Sequence, residues 1–130
     1  MTSLPAGTET PRPFVPAKDY ALSKRFYEAL GFEKEIDDVG VAIFGIGTGS
    51  FILQNHFQQQ WADNFMMQLL VDDLDAWWAH VQALDLPGTF GVRAPVAPAM
   101  QPWGFRVCYV FDPSGVLWHF SERLTEAGAD

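Results

Sequence analysis

Residues 19–32, DYALSKRFYEALGF, contain the start, the buried face and the end of one helix. Asp19 is suited to the N-cap, because its carboxylate can accept the unpaired N–H groups of the first turn. Gly31 is suited to the C-terminal end, since glycine adopts a left-handed conformation without strain. Between them, apolar residues recur at the spacing of one helical face. These residues are Leu22, Phe26, Ala29 and Leu30.

Strands are predicted on both sides of this helix. An extended stretch at 12–17 precedes it, and three β-prone stretches follow it, at 32–38, 41–46 and 51–55. The glycines between the last two stretches favour a hairpin, because no helix follows them to form a phosphate-binding loop. Residues 12–57 therefore predict one βαβββ module.

The same order of elements then restarts after a polar connection at 56–62. A strand at 65–71 precedes a helix capped by Asp72 or Asp73, with apolar residues again on one face. Ala83 and Leu84 follow Asp73 at the spacing of Ala29 and Leu30 from Asp19. A weak strand is predicted at 90–94, followed by strands at 105–111 and 116–121 joined by the turn Asp112-Pro113-Ser114-Gly115.

These patterns predict a single α+β domain at 12–122, made of two βαβββ modules at 12–57 and 63–122. Residues 1–11 are predicted to be a flexible N-terminal segment and residues 123–130 a polar tail. On the last strand, Trp118 and Phe120 alternate with His119. We expect the two aromatic residues to pack under the helices and His119 to face the other side.

Composition narrows the functional classes. The formal net charge of −8 disfavours binding to nucleic acid phosphates. The single cysteine, Cys108, rules out an intrachain disulfide, and its position within a strand predicts a buried residue. The sequence contains no signal-peptide pattern and no apolar run of the ~20 residues that a membrane helix needs. These features predict a cytoplasmic protein.

Several motifs resemble those of the glyoxalase/bleomycin-resistance/dioxygenase superfamily, also called the vicinal-oxygen-chelate superfamily. They are Ser23 with 26–32, Val71-Asp72-Asp73-Leu74-Asp75, and Asp112-Pro113-Ser114-Gly115. A narrower resemblance to the bleomycin-resistance branch rests on Asp63-Asn64, Gln101-Pro102-Trp103-Gly104 and His119-Phe120. The resemblance implies curled mixed sheets around a cleft, with helices outside, and a homodimer that binds ligands in clefts shared by two chains.

The resemblance also implies where a metal would bind. Enzymes of the superfamily hold a divalent ion with His, Gln or Glu at four strand positions. Two of those positions carry Arg12, which has no lone pair to donate, and Met66, a weak donor. His119 could bind a metal, and the fourth position lies near Gln54 or His56. We therefore predict no cofactor, with Zn, Ni, Mn or Fe at His119 and His56 as the alternative.

The leading functional hypothesis is a non-catalytic protein that sequesters a small aromatic or cationic molecule, as antibiotic-resistance proteins of this branch do. Trp103 follows a proline and precedes a glycine, so its indole can stack on a planar ligand or instead pack within a dimer interface or loop. The predicted ligand-binding residues are Asp63, Asn64, Met66, Gln68, Trp103, Gly104 and His119.

Three alternatives stay open. His119 can simply hydrogen-bond a neighbour in the cleft. The protein can be a metal-dependent lyase, isomerase or dioxygenase, or a metal-free enzyme with His119 as acid or base. Bleomycin itself is not predicted, because Val39 and Gln68 stand where the resistance branch has aromatic residues.

Overall fold

A computed structural model describes residues 4–123, which form two four-stranded sheets with helices packed against them. The elements of the first half are β1 (Phe14–Pro16), α1 (Tyr20–Leu30), β2 (Glu33–Asp37), β3 (Val41–Ile46), β4 (Gly49–Gln54) and α2 (Gln59–Asp63). The second half contains β5 (Met66–Val71), α3 (Leu74–Leu84), α4 (Leu86–Phe90), β6 (Val96–Met100), β7 (Arg106–Phe111) and β8 (Leu117–Glu122).

The two sheets share one topology. Sheet A has the strand order β1-β4-β3-β2, and sheet B has the order β5-β8-β7-β6. In each sheet the first strand of the module pairs parallel to the last, and the remaining pairs are antiparallel. The predicted α+β fold of two βαβββ modules is therefore confirmed.

The helix ends follow the predicted capping chemistry. Asp19 accepts a hydrogen bond from the backbone N of Leu22 at 3.1 Å, and Asp73 accepts one from Ala76 at 3.0 Å. Gly31 ends α1 with a φ of 99°, a conformation that costs residues with a Cβ atom free energy. These caps fix where each helix leaves its sheet.

The strand predicted at 90–94 is wrong. Residues Leu86–Phe90 form α4, and the strand of this region is β6 at Val96–Met100. Asp85 explains the difference, because its side chain accepts from Gly88 N and caps a short helix with Pro87 in its first turn. β6 is an edge strand with an irregular register to β7, a position in which a strand tolerates Pro98.

The connection predicted at 56–62 is partly helical. Its second half forms α2, with the backbone N of Trp61 and of Ala62 donating to Gln58 O. Ala62 is fully buried, so this short helix anchors the chain before β5.

A single hydrophobic core lies between the helices and one face of each sheet. It is rich in aromatic side chains, and Tyr27 contacts Phe44, Phe51 and Trp118 with ring centroids 4.9–5.7 Å apart. The Tyr27 hydroxyl also donates to Asp112 Oδ2 at 2.6 Å and accepts from Trp118 Nε1 at 3.0 Å. Because Tyr27 belongs to the first module and the other two polar partners to the second, the modules of one chain are joined through their core.

Residues 124–130, most of the predicted polar tail, and residues 1–3 of the predicted N-terminal segment lie outside the described residues. The proposed limits of the domain and of its modules stay predictions. Across residues 4–123, no helix is both long enough and apolar enough to span a bilayer.

Candidate functional site

The face of sheet B that points away from the core is the candidate site, and we call it the open face of sheet B. Alternation along β8 defines it, because Trp118 and Phe120 are at most 1% exposed in the core while His119 points to the other side. The orientation predicted for these three residues is confirmed. The open face consists of alternate residues of three strands: Met66, Gln68 and Leu70; Val107, Tyr109 and Phe111; Leu117, His119 and Ser121.

β5 contributes an apolar border to this face. Met66 is 59% exposed and Leu70 is 42% exposed, whereas Met67 and Leu69 pack against the core. Gln68 lies between the two exposed residues and is the register partner of His119. The predicted orientation of Met66 and Gln68 on one face is therefore confirmed.

Trp103 stands at the end of this face in the connection between β6 and β7. Its side chain is 56% exposed, and its ring centroid lies 6.5 Å from that of His119. Gly104 follows with a φ of 97° and donates its N–H to Gln101 O at 2.9 Å, which closes a tight turn. The turn presents the indole beside the open face of sheet B with one side uncovered.

His119 occupies the middle of the open face of sheet B. It pairs with Gln68 on β5 and with Tyr109 on β7, whose ring is perpendicular to the imidazole with centroids 4.9 Å apart. Its Nε2 atom is buried and has no hydrogen-bond partner among residues 4–123. Burial lowers the pKa of His119, so the imidazole is neutral at pH 7.

The predicted site residues Asp63 and Asn64 lie just before β5. Asp63 is the last residue of α2 and Asn64 is its C-cap, and both side chains are exposed. Phe65 then leads into β5. Asp63 accepts a hydrogen bond from Gln59 Nε2 at 2.9 Å, which stabilises the helix end. The structure thus groups Met66, Gln68, Trp103, Gly104 and His119, and places Asp63 and Asn64 before the strand rather than on the face.

Two aromatic residues of the open face were not predicted as site residues. Tyr109 and Phe111 alternate on β7, and the guanidinium of Arg93 lies 4.2 Å from the centroid of the Phe111 ring. The recurrence of large apolar residues at every second position of β7 was visible in the sequence. Their orientation follows from the register of β7 against β8, which pairs Tyr109 with His119.

The residues present do not fit the metal centre that the superfamily implies. Within residues 4–123, no three His, Cys, Asp or Glu side chains come together to hold an ion. His119 lies on β8 of sheet B, whereas His56 follows β4 of sheet A, where it is exposed. The rings of Trp103 and Tyr109 pack near His119, and Gln68 is the one neighbour in register on β5 with an amide oxygen.

A cavity of about 820 Å³ lies at the β2 edge of sheet A, beside the turn between β3 and β4. Three carboxylates line it, from Glu9, Glu33 and Glu35, together with the guanidinium of Arg12. By contrast, the open face of sheet B, which the structure describes in full, carries no acidic side chain. The two sheets therefore present surfaces of different charge.

Comparisons with known proteins identify relatives. A family model described as the Glyoxalase/Bleomycin resistance protein/Dioxygenase superfamily matches residues 11–120. A bleomycin resistance protein of Klebsiella pneumoniae is 27% identical over 126 residues, spanning 93% of this chain and 98% of that protein.

Solved structures agree with this assignment. A bleomycin-binding protein complexed with bleomycin superimposes with a TM-score of 0.77 at 26% identity, over 90% of this chain and 100% of that one. A bleomycin-binding protein from bleomycin-producing Streptomyces verticillus, complexed with copper(II)-bleomycin, gives a TM-score of 0.76 at 26% identity, over 95% and 100%. The chain therefore belongs to the glyoxalase/bleomycin resistance protein/dioxygenase superfamily.

Proposed function

We propose that this protein binds a planar aromatic or cationic small molecule, of the antibiotic type bound by its bleomycin-binding relatives, and sequesters it without chemical change. The observation that carries the proposal is the half-exposed indole of Trp103 beside the open face of sheet B. A large aromatic side chain left uncovered next to exposed methionine and leucine side chains is typical of a binding surface.

Stacking supplies the binding energy in this proposal. A planar ligand against the free side of Trp103 gains about 0.5–1.5 kcal/mol beyond its buried area, and a positive charge over the indole adds a similar amount. Met66 can adapt its shape to the ligand, because its side chain is unbranched and polarizable. The flexible methionine and the fixed indole together suit a bulky ring system.

A second copy of the chain completes the cleft in our proposal. The open face of sheet B is exposed along β5, although Val107 and Ser121 are buried within the chain, and the exposed apolar residues Met66 and Leu70 favour burial. In a twofold dimer, sheet A of each chain can face sheet B of the other chain, so the dimer contains two equivalent clefts. The carboxylates at the β2 edge would then lie near the neutral face, a charge pattern suited to a ligand with a cationic part.

Replacing Trp103 tests the binding surface. In titrations of bleomycin and of the planar cation proflavine, followed by calorimetry, we expect Trp103→Ala to lower the affinity by about tenfold or more because stacking is lost. Trp61→Ala is the matched control, since Trp61 is the other exposed indole and packs on Phe65 instead. Equal affinities of the wild type and Trp103→Ala for both ligands would contradict the proposal.

Metal analysis tests the proposed absence of a cofactor. We expect protein without a histidine tag to retain far less than one metal ion per chain after dialysis against zinc, nickel and manganese, because no three His, Cys, Asp or Glu side chains come together within residues 4–123. Stoichiometric metal that disappears in His119→Ala would instead support the metal-dependent lyase, isomerase or dioxygenase.

A further inference from the structure

The unpaired nitrogen of His119 calls for an explanation. Its Nε2 is buried without a hydrogen-bond partner among the described residues, and an unpaired buried polar atom destabilises a folded protein. The other ring nitrogen, Nδ1, does not belong to the buried side-chain atoms that lack a partner among the described residues. The two nitrogens of one imidazole therefore meet different surroundings, and the proton of the neutral ring will favour one of them.

The ring of Tyr109 packs against the imidazole of His119. The two rings are perpendicular, at 86°, with centroids 4.9 Å apart. An N–H that points at an aromatic face is a weak but favourable contact, whereas a nitrogen lone pair is repelled by the negative face. A neutral imidazole with its proton on the buried Nε2 has Nδ1 as its hydrogen-bond acceptor.

The surroundings also keep this imidazole uncharged. Register neighbours from β5 and β7 are Gln68 and Tyr109, of which only the Tyr109 hydroxyl is titratable. The nearby indole of Trp103 is neutral, and the charge packed on the same face is the guanidinium of Arg93 against Phe111. Desolvation lowers the pKa of His119 and disfavours the imidazolium, so the ring is mainly neutral at pH 7.

We propose that His119 determines ligand specificity by accepting, at Nδ1, a hydrogen bond from an N–H group on the edge of a planar ligand stacked on Trp103. This inference rests on the proposed function and deepens it, because it names the ligand class: an aromatic ring system with an amino or amide N–H donor. A ligand that offers only acceptors at this edge leaves Nδ1 unpaired and binds less tightly.

The protonation of the free protein provides the first test. Long-range ¹H–¹⁵N NMR spectra report which ring nitrogen of His119 carries the proton at pH 7. We expect the proton on Nε2 in the wild type and in Tyr109→Phe, which keeps the aromatic ring. A proton on Nδ1 in the wild type would overturn the proposal, whatever the affinity for ligands.

A pair of dyes provides the second test. Proflavine has exocyclic N–H groups, and acridine orange is its analogue with those groups methylated. We expect the wild type to bind proflavine about tenfold more tightly, the value of one hydrogen bond, and His119→Ala to bind both dyes alike. A preference that persists in His119→Ala reflects the size of the methyl groups and would overturn the proposal.

Two amide variants identify the nitrogen involved. Asn at position 119 places its amide near the position of Nδ1, and Gln places its amide near that of Nε2. We therefore expect His119→Asn to keep most of the preference for proflavine and His119→Gln to lose it. Both variants are compared for thermal stability, so that a folding defect is not taken for a binding defect.

The outcomes separate the two proposals. If wild-type protein binds both dyes equally while Trp103→Ala weakens both, the proposed function stands and the role of His119 is wrong. If wild-type protein binds neither dye nor bleomycin, the proposed function fails and the specificity proposal fails with it.

Discussion

At the scale of single residues, Asp112 is a buried carboxylate that joins the modules. Its Oδ1 accepts from the backbone N of Ser114 at 2.8 Å and of Val116 at 2.9 Å, and its Oδ2 accepts from the Tyr27 hydroxyl. Burial raises the pKa of Asp112 to about 6, although these hydrogen bonds oppose the rise. Desolvation of the charge therefore outweighs the three donors.

This raised pKa predicts a stability that falls as the pH rises. Between the unfolded pKa of 3.8 and the folded pKa of about 6, the folded protein binds more protons than the unfolded chain. The stabilisation that the raised pKa of Asp112 adds to the free energy of unfolding is therefore fully present below pH 3.8 and is lost by about pH 6. We expect the free energy of unfolding of the wild type, relative to Asp112→Asn, to fall by about 3 kcal/mol over this range.

Denaturant unfolding of both proteins at several pH values measures this difference. Asp37→Asn is the control with the opposite sign, because hydrogen bonds from Lys24 and Lys34 lower the pKa of the exposed Asp37. The stability that Asp37 adds is present above pH 3.8 and is lost as the pH falls below it. If the relative stability of wild type and Asp112→Asn is the same at pH 4 and pH 6.5, the assigned burial of the charge is wrong.

At the scale of elements, the sequence predicted what local chemistry determines. The caps Asp19, Gly31 and Asp73 each act within a few residues of their own helix, so the limits of α1 and α3 could be found without the fold. Alternation on β8 likewise predicted that His119 lies opposite Trp118 and Phe120.

The region between α3 and β7 was predicted less well, because proline and glycine permit several conformations. Asp85 adopts a φ of 47° and caps α4, a side-chain interaction that outweighs the β-prone Phe90 and Val92. β6 follows later, at Val96–Met100, where pairing with β7 holds an otherwise weak strand. Such a strand depends on its partner and carries little signal of its own.

The candidate site was also predicted only in part, because some of its contacts depend on how the strands pair. Trp103 and His119 stood out by their motifs, and Gln68 by its position on a strand. Tyr109 was missed because its contact with His119 depends on the register between β7 and β8, which sequence alternation leaves undetermined. Asp63 and Asn64 were included by resemblance, and they lie just before β5, at the end of α2, so their role in binding stays a prediction.

At the scale of the whole molecule, five of the ten exposed large apolar residues of the described chain belong to sheet B and its β6–β7 connection. The edge strand β6 exposes Val96 at 46% and Met100 at 60%, close in sequence to Trp103 at 56%. An exposed edge strand with apolar side chains favours association with another chain. The net charge of −8 would keep separate chains apart, so association requires this apolar surface to be buried.

These surfaces predict a dimer whose assembly is needed for tight binding. We expect sedimentation equilibrium to give about twice the chain mass of 14.5 kDa. We expect Val96→Glu to give a monomer, because Val96 is the register partner of Tyr109 and the substitution places a charge on the open face of sheet B. The monomeric variant should bind bleomycin and proflavine more weakly by about tenfold or more, although Trp103 and His119 are intact, because one wall of the cleft is missing.

Ala83→Glu is the matched control for this variant. It adds the same charge at an exposed position on α3, a helix that packs on the core face rather than the open face, and it should remain dimeric with unchanged affinity. Wild-type protein that is monomeric at the concentrations used for binding, yet binds ligand tightly, would show that a single chain forms the whole site. The open face of sheet B with Trp103 would then be sufficient without the carboxylates of a partner.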